Sequence, residues 1–491
     1  MNKNYKQISE ELEHLVKNIL GVKYLINSYF RISKTTPEQT RVYHTLITEH
    51  SILYHIFYSA SLSIINIIKV SMYFILSLIM FYQYYFISRS SKKIDHIFLT
   101  HAIRSNIDST TADQYFGLMP HFLRSQKYNV AMFYINHNKF GYRKNYNKLK
   151  KKNGGMEIYL SPKFMLPYEN LEFLLQTVLC ALKCLKIAVN SIKQEPNQAK
   201  ILIASIPYFF SRSTYNNYLL KKRCLAIQKR TKPKYFIFTF EGHSYEQYVF
   251  DALNESKSDC YGVFYQHSPI VPGHLGLIHF LQGLNSKIEI MVTGPVYKKY
   301  FANFSNFPTI TVVGSQKSAK KVVKPFTKNS DNLLFAPEGT AQSTLEFIHL
   351  IRELIASNLP NRITLRLHPD LPNSLKIRYY LYKLKKNLNF NVSNSELNAD
   401  LEKSMYIFFR SSAVSVEALL SGAQLVFYTR FNELNTNPLS LIQNLNLQAS
   451  NAAEVLNILK RDHNSINTEV RLEAFNQFFA KLNYPFLLKL A

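Results

Sequence analysis

The chain has 491 residues, of which 47% are hydrophobic and 14% aromatic, with 33 Tyr, 35 Phe and no Trp, enough to fill the cores of two or three domains. Its formal charge of +27 suits a partner that carries phosphate, but the Lys runs at 148–152, 221–223, 317–321 and 383–386 come with no Arg-rich stripe, RNP-like motif or zinc-finger spacing, which sets nucleic acid aside. Cys180, Cys184, Cys224 and Cys260 lack metal-ligand spacing and read as free thiols in a reducing cytoplasm.

The first 20 residues are polar and carry no secretory signal. Residues 1–90 read as a helical N-terminal extension around the apolar segment 51–89. Lys69 splits that segment, and Ser71 to Ile87 runs uncharged for 17 residues. Either half is at the short limit for spanning a bilayer, so three readings stand: a spanning helix, an interfacial hairpin or a buried pair. The closing FYQYYF, with Arg89, Lys92 and Lys93 after it, favours contact with the inner face of a membrane.

From Ile94 onwards strands and helices alternate, which predicts an α/β chain with two facing Rossmann-like domains. The first, 91–285, has strands at 94–100, 129–135, 156–160, 235–240 and 260–266. Its helices are expected at 113–126, 171–192, 208–230 and 244–254. The second, 286–465, has strands at 288–293, 309–313, 332–335, 363–367, 405–409 and 425–428, with helices near 341–357, 374–386, 413–421 and 452–460. A C-terminal helix within 466–491 is expected to pack back on the first domain.

In open parallel sheets, ligands bind beyond the carboxyl ends of the strands, so the strand ends carry the candidate chemistry. The strand at 235–240 ends in Glu241-Gly242-His243, before a helix on which Ser244 and Gln247 form a capping box. Glu241 there is a candidate general base, with His243 beside it, or simply a partner of the helix dipole. The next strand ends in Gln266-His267-Ser268, and His274 follows; these are candidate acceptor or cleft residues. No HxH or HxxE spacing supports a metal.

In the second series, the strand at 332–335 runs into Glu338-Gly339-Thr340, where Gly permits close backbone approach and Thr can open a helix. The strand at 363–367 carries Arg366 and ends in His368-Pro369, which presents an imidazole to a phosphate oxygen or serves structure alone. The strand at 405–409 leads to Ser411-Ser412, either a helix cap or hydroxyls of an anion site at a helix N-terminus, with Glu417 in reach of a ribose hydroxyl. His368 and Ser411-Ser412 are expected on neighbouring strands.

The pairing of RLHP at 366–369 with RSSAVSVEALLSG at 410–422 resembles bacterial GT-B glycosyltransferases of surface-polysaccharide assembly. It is similar to the sialyltransferase, polysialyltransferase and capsule Kdo-transferase groups, which use CMP-sugars. A broader likeness to an O-antigen biosynthesis family is carried by DQYFGLMPHFL, FEGHSYEQ, YQHSPIVPG, APEGT, RLHP and SSAVSVEALLSG, all within 94–430. The resemblance implies a metal-independent transferase with no cofactor and a nucleotide-sugar co-substrate. His368 and Ser411-Ser412 would hold its phosphate, and Glu241 would serve as base for a glycan or lipid-linked acceptor. The family's acidic-acidic-Gly motif is Phe240-Glu241-Gly242 here, its first acidic position replaced by Phe. Cytoplasmic placement at the inner membrane face follows, with a GT-B-shaped sugar-nucleotide epimerase or a degenerate scaffold of polysaccharide assembly as alternatives.

Overall fold

A computed structural model describes residues 51–79, 93–103, 106–107, 113–137, 142–256, 259–271, 288–303, 309–319, 331–368, 371, 374–429, 436–442, 445–461 and 467–487. The aromatic run FYQYYF, His274 and Pro369 lie outside these residues.

Helix α1 (Ile52–Ile79) precedes an alternating series. In order this is β1 (His96–Ala102), α2 (Met119–Ser125), β2 (Val130–Asn136), α3 (Tyr142–Lys152), β3 (Glu157–Leu160), α4 (Pro167–Ser191), α5 (Pro196–Phe209) and α6 (Arg212–Thr231). It continues through β4 (Tyr235–Thr239), α7 (Ser244–Glu255), β5 (Tyr261–Gln266), β6 (Ile288–Val292), α8 (Pro295–Ala302) and β7 (Ile310–Val312). The strands form one parallel sheet in the order β3-β2-β1-β4-β5-β6-β7. Nearly continuous apolar strands such as Tyr235–Thr239 suit a sheet covered on both faces.

The second series is β8 (Asn332–Ala336), α9 (Ala341–Ala356), β9 (Arg362–Leu365), α10 (Leu375–Leu384), β10 (Phe390–Val392), α11 (Leu397–Glu402), β11 (Ser404–Phe409), α12 (Val414–Glu417), β12 (Gln424–Tyr428), β13 (Leu447–Ala449) and α13 (Ala452–Lys460). Its sheet runs β10-β9-β8-β11-β12-β13, the 3-2-1-4-5-6 order of a doubly wound fold. Two doubly wound parallel sheets are therefore present, as the sequence pattern predicts.

Several local expectations change. Strands β6 and β7, assigned from sequence to the second domain, belong to the first sheet. Gly262 pairs with Ile288 and Ile290 with Ile310, so the boundary at 285/286 gives way to one between Ala319 and Asn332. The helix expected at 113–126 starts only at Met119, because the Asp113 carboxylate accepts from the N–H groups of Tyr115 and Phe116 and holds a turn. The helix at 208–230 is divided at Ser211, which caps α6 by accepting from Thr214 N, while Pro207 lies inside α5. The Ser244–Gln247 capping box is absent. His243 is the N-cap of α7, the Ser244 hydroxyl accepts from Asn217, and Gln247 donates to Asp251. The helix at 413–421 is one α-turn, α12, continued by a 3-10 turn.

The C-terminal segment ties the two units together. Helix α14 (Thr468–Phe478) packs between α8 of the first unit and the α12 region of the second. The short helix α15 (Tyr484–Leu487) packs against α2. Between them, Ala480 N donates to Thr293 O, Ser315 N to Ala480 O and Asn483 N to Val313 O. A Cβ at Gly294 would stand 2.1 Å from Gln477 O and one at Gly314 2.3 Å from Lys481 O, so glycine is needed for this backbone approach. On the other side Arg471, wholly buried, donates from Nη1 to Ala423 O at 2.8 Å. Arg471→Ala is expected to cost about 2–5 kcal/mol through lost packing and an orphaned carbonyl. Urea unfolding checks this, and an unchanged midpoint would remove Arg471 from the interdomain tie.

Candidate active site

Both sheets reverse strand order at one point, between β1 and β4 in the first and between β8 and β11 in the second. Lys317, just beyond β7, and Glu417, at the end of α12, form an ion pair of 2.9 Å. That contact joins the carboxyl edge of one sheet to the carboxyl edge of the other. Glu417, expected near a ribose, is committed to this pair instead.

At the second switch point three strand ends converge. Ala336 of β8 is in register with Phe409 of β11, and the turn 337–340 leads into α9. Glu338 in this turn is buried, and the Ser411 hydroxyl donates to its carboxylate. Thr340 caps α9, accepting from Ser343 N at 3.2 Å. The His368 ring lies on Gly339 so closely that a Cβ there would meet Nδ1 at 2.9 Å. Strand β8 separates β9 from β11, so His368 and Ser411 are not on adjacent strands, contrary to expectation. They flank the same Gly-containing turn from opposite sides.

The anion-binding argument moves with the helices. One turn of α12 carries little dipole, whereas α9 is a 16-residue helix whose first N–H groups open at this turn. The Ser412 hydroxyl accepts from Val414 N at 3.3 Å. Arg366 lends no positive field here. Its Nη1 is 2.5 Å from Asp400 and 2.7 Å from Ser395 O, drawn off toward α11.

At the first switch point Glu241 is the hub. Its Oε2 lies 2.7 Å from His243 Nε2 and its Oε1 3.1 Å from His267 Nε2, while the Ser268 hydroxyl also donates to it. Gly242, at φ 74°, permits the turn, and the backbone N–H of Glu241 donates to Glu246. Burial alone would raise the Glu241 pKa. The charge of His267 and the hydrogen bonds from His243 and His267 outweigh it and hold the carboxyl well below the usual range. Gln266 is fixed rather than open to a ligand, its Oε1 accepting from Thr293 N and Oγ1 at 3.1 Å each and its amide donating to Ser268 O.

Two further histidines, not singled out from sequence, complete this edge. His101, the penultimate residue of β1, has Nδ1 2.8 Å from His137 Nε2, just past β2, and Nε2 3.1 Å from the Tyr245 hydroxyl. The Tyr115 ring links the groups, 5.2 Å from His101 and 4.9 Å from His267. Burial, then the charge of Glu246, push the Tyr245 phenol up, so it stays protonated. The strand-end position that drew attention to His368 applies equally to His101 and His137 and was the available signal. Among the described residues no group of three or more His, Cys, Asp and Glu is placed to hold a metal ion.

No protein-family model and no curated protein matches the chain. Solved structures similar to it include UDP-GlcNAc 2-epimerase of Methanocaldococcus jannaschii in complex with UDP-GlcNAc and UDP. That match has 13% identity and a TM-score of 0.46, covering 78% of this chain and 97% of that one. The glycosyltransferase SnogD of Streptomyces nogalater has 12% identity and a TM-score of 0.42, with coverage of 81% and 99%. MurG of Acinetobacter baumannii has 10% identity and a TM-score of 0.41, with coverage of 81% and 99%.

Proposed function

We propose that the chain is a glycosyltransferase that moves a sugar from a nucleotide donor to a hydroxyl acceptor, with no resident cofactor. The observation that carries this reading is the convergence of His368, the Gly339 turn with the α9 N-terminus, and Ser411-Ser412 at the second switch point. Backbone N–H groups, an imidazole and hydroxyls around one crevice suit a phosphate. A separate acid–base group, Glu241 with His243 and His267, stands at the carboxyl edge of the other sheet.

In this reading the sugar–phosphate C–O bond breaks with its electron pair on the phosphate oxygen, whose charge His368 stabilises. The acceptor oxygen forms the new bond and its proton passes to an imidazole, that of His243, which makes the shorter contact with Glu241. Glu241 itself is too weak a base at its lowered pKa. It positions the histidine and stabilises the imidazolium, so the general-base role expected of it passes to its partner.

The finer reading is a CMP-linked nonulosonic or Kdo-type donor and a surface-polysaccharide or lipid-linked acceptor. It rests on the motif likeness of RLHP and RSSAVSVEALLSG. A thermal-shift panel of CMP, UDP, GDP and dTDP tests it, with CMP expected to raise the melting midpoint most. Stabilisation by UDP, with release of a sugar inverted at C2 and no acceptor needed, would replace transfer by epimerisation. If no nucleotide raises the midpoint, the scaffold alternative takes its place.

A further inference from the structure

Helices α1 and α4 expose an apolar stripe where helices of a water-soluble domain carry polar residues, and bury polar residues among apolar ones on the opposite side. On α1 the inward stripe includes the buried polar residues His55, Ser59 and Asn66, and Asn66 donates to Pro207 O of α5 at 2.8 Å. Its outward stripe is Leu53, Phe57, Ile64, Ile68, Met72 and Ile75, with Phe57 72% exposed. Helix α4 repeats the pattern. Its buried side mixes Glu169, Asn170 and Thr177 with Phe173, Cys184 and Ala188, while Leu171, Leu175, Leu179, Leu182, Leu185 and Val189 face outward, Leu175 at 61%. Water would oppose both arrangements, whereas hydrocarbon favours them.

The two stripes form one surface. Ile52, at the start of α1, belongs to the cluster around Cys184 and Ala188 near the end of α4. Val70 and Tyr73, toward the other end of α1, pack with Phe173 near the start of α4. The helices therefore run antiparallel over α5 and α6. Charge identifies what covers them: α1 has no acidic residue, and α4 has none after Glu172. The exposed charges along this surface are Lys69, Lys183 and Lys186, with Lys193 and the half-buried Glu195 just past the end of α4.

We infer that α1 and α4 together form a monotopic docking face that sinks into the headgroup and upper acyl region of an anionic bilayer. Helix α1 is long and apolar enough to cross a membrane, but it does not cross one. It is fastened along its length, through Asn66 to α5 and through Tyr73 to Phe164, Tyr215 and Arg212. Lying flat, it covers about 40 Å of interface.

Flotation of the full-length chain with vesicles of phosphatidylethanolamine and phosphatidylglycerol, against phosphatidylcholine alone, tests it. The chain is expected to float with the anionic vesicles. The double substitution Leu175→Glu, Leu182→Glu on the exposed row of α4 is expected to reduce the bound fraction on the order of tenfold or more. Lys183→Glu with Lys186→Glu is expected to remove most of the preference for the anionic vesicles. Circular dichroism and a melting curve establish that each variant is folded. Failure to float with either vesicle, or a soluble dimer that the leucine substitutions split, overturns the inference, the latter assigning the face to a second copy of the chain. If the leucine variant floats as the parent does, α4 is no part of the docking face and the inference also fails.

Discussion

Glu241→Gln is expected to leave nucleotide affinity unchanged and to cut sugar transfer by about 10²–10⁴-fold, the usual worth of a positioned proton-transfer group. The carboxylate accepts from His243 and His267 at once. A glutamine offers one accepting oxygen and presents N–H groups to the other ring, which imposes the wrong tautomer on one imidazole. Isothermal titration with the nucleotide, beside a transfer assay, separates the two effects. A variant that transfers at the parent's rate would strip Glu241 of its positioning role, and a loss of affinity in equal measure would make it part of the donor site. The same substitution has a signature in stability. Because the folded pKa lies below the ordinary 4.5, the carboxylate stabilises the fold above that value, and this contribution is lost as pH falls through the lower folded value. Parent and variant melting points should therefore differ at neutral pH and converge in strong acid.

His368→Ala is expected to weaken nucleotide binding by about 10- to 100-fold, the equivalent of roughly 1.5–3 kcal/mol for a hydrogen bond to a charged oxygen. Ser411→Ala should chiefly lower the melting point, because it removes the donor that satisfies the buried Glu338 carboxylate. Ser412→Ala, whose parent hydroxyl accepts from Val414 N and keeps its proton for an anion, should instead weaken binding comparably. As His368 and Ser412 would hold one phosphate, their double variant should lose less than the sum of the single losses. Titration calorimetry on folded variants decides the matter. Full affinity in His368→Ala would exclude the imidazole from the phosphate pocket.

The strands were legible because a sheet covered on both faces requires near-continuous apolar runs, and 235–239 and 405–409 are such runs. Which sheet a strand joins was not legible. Ile288–Val292 carries no local mark that it completes the edge left by β5, since backbone pairing is indifferent to sequence. Strand-end reasoning placed Glu241, His267, Gly339 and His368 just beyond the carboxyl ends of strands, where they lie, but it misjudged partners that depend on long-range packing. Arg366 turns to Asp400 and Glu417 to Lys317, and neither choice has a trace in spacing. The outward leucines of α4 were hidden for another reason. A helix apolar around most of its circumference shows no periodicity from which its buried side could be told.

The strap formed by α14 and α15 has a consequence for the order of events during synthesis. Residues 468–487 leave the ribosome after every strand of both sheets, yet they supply the backbone partners of Thr293, Val313 and Ser315 and the guanidinium that reaches Ala423. Each sheet can collapse as its own strands emerge, but the clasp between the halves closes only when translation has passed residue 487. A chain cut before residue 468 would thus hold both sheets without their clasp, with the face of α8 that α14 covers left open.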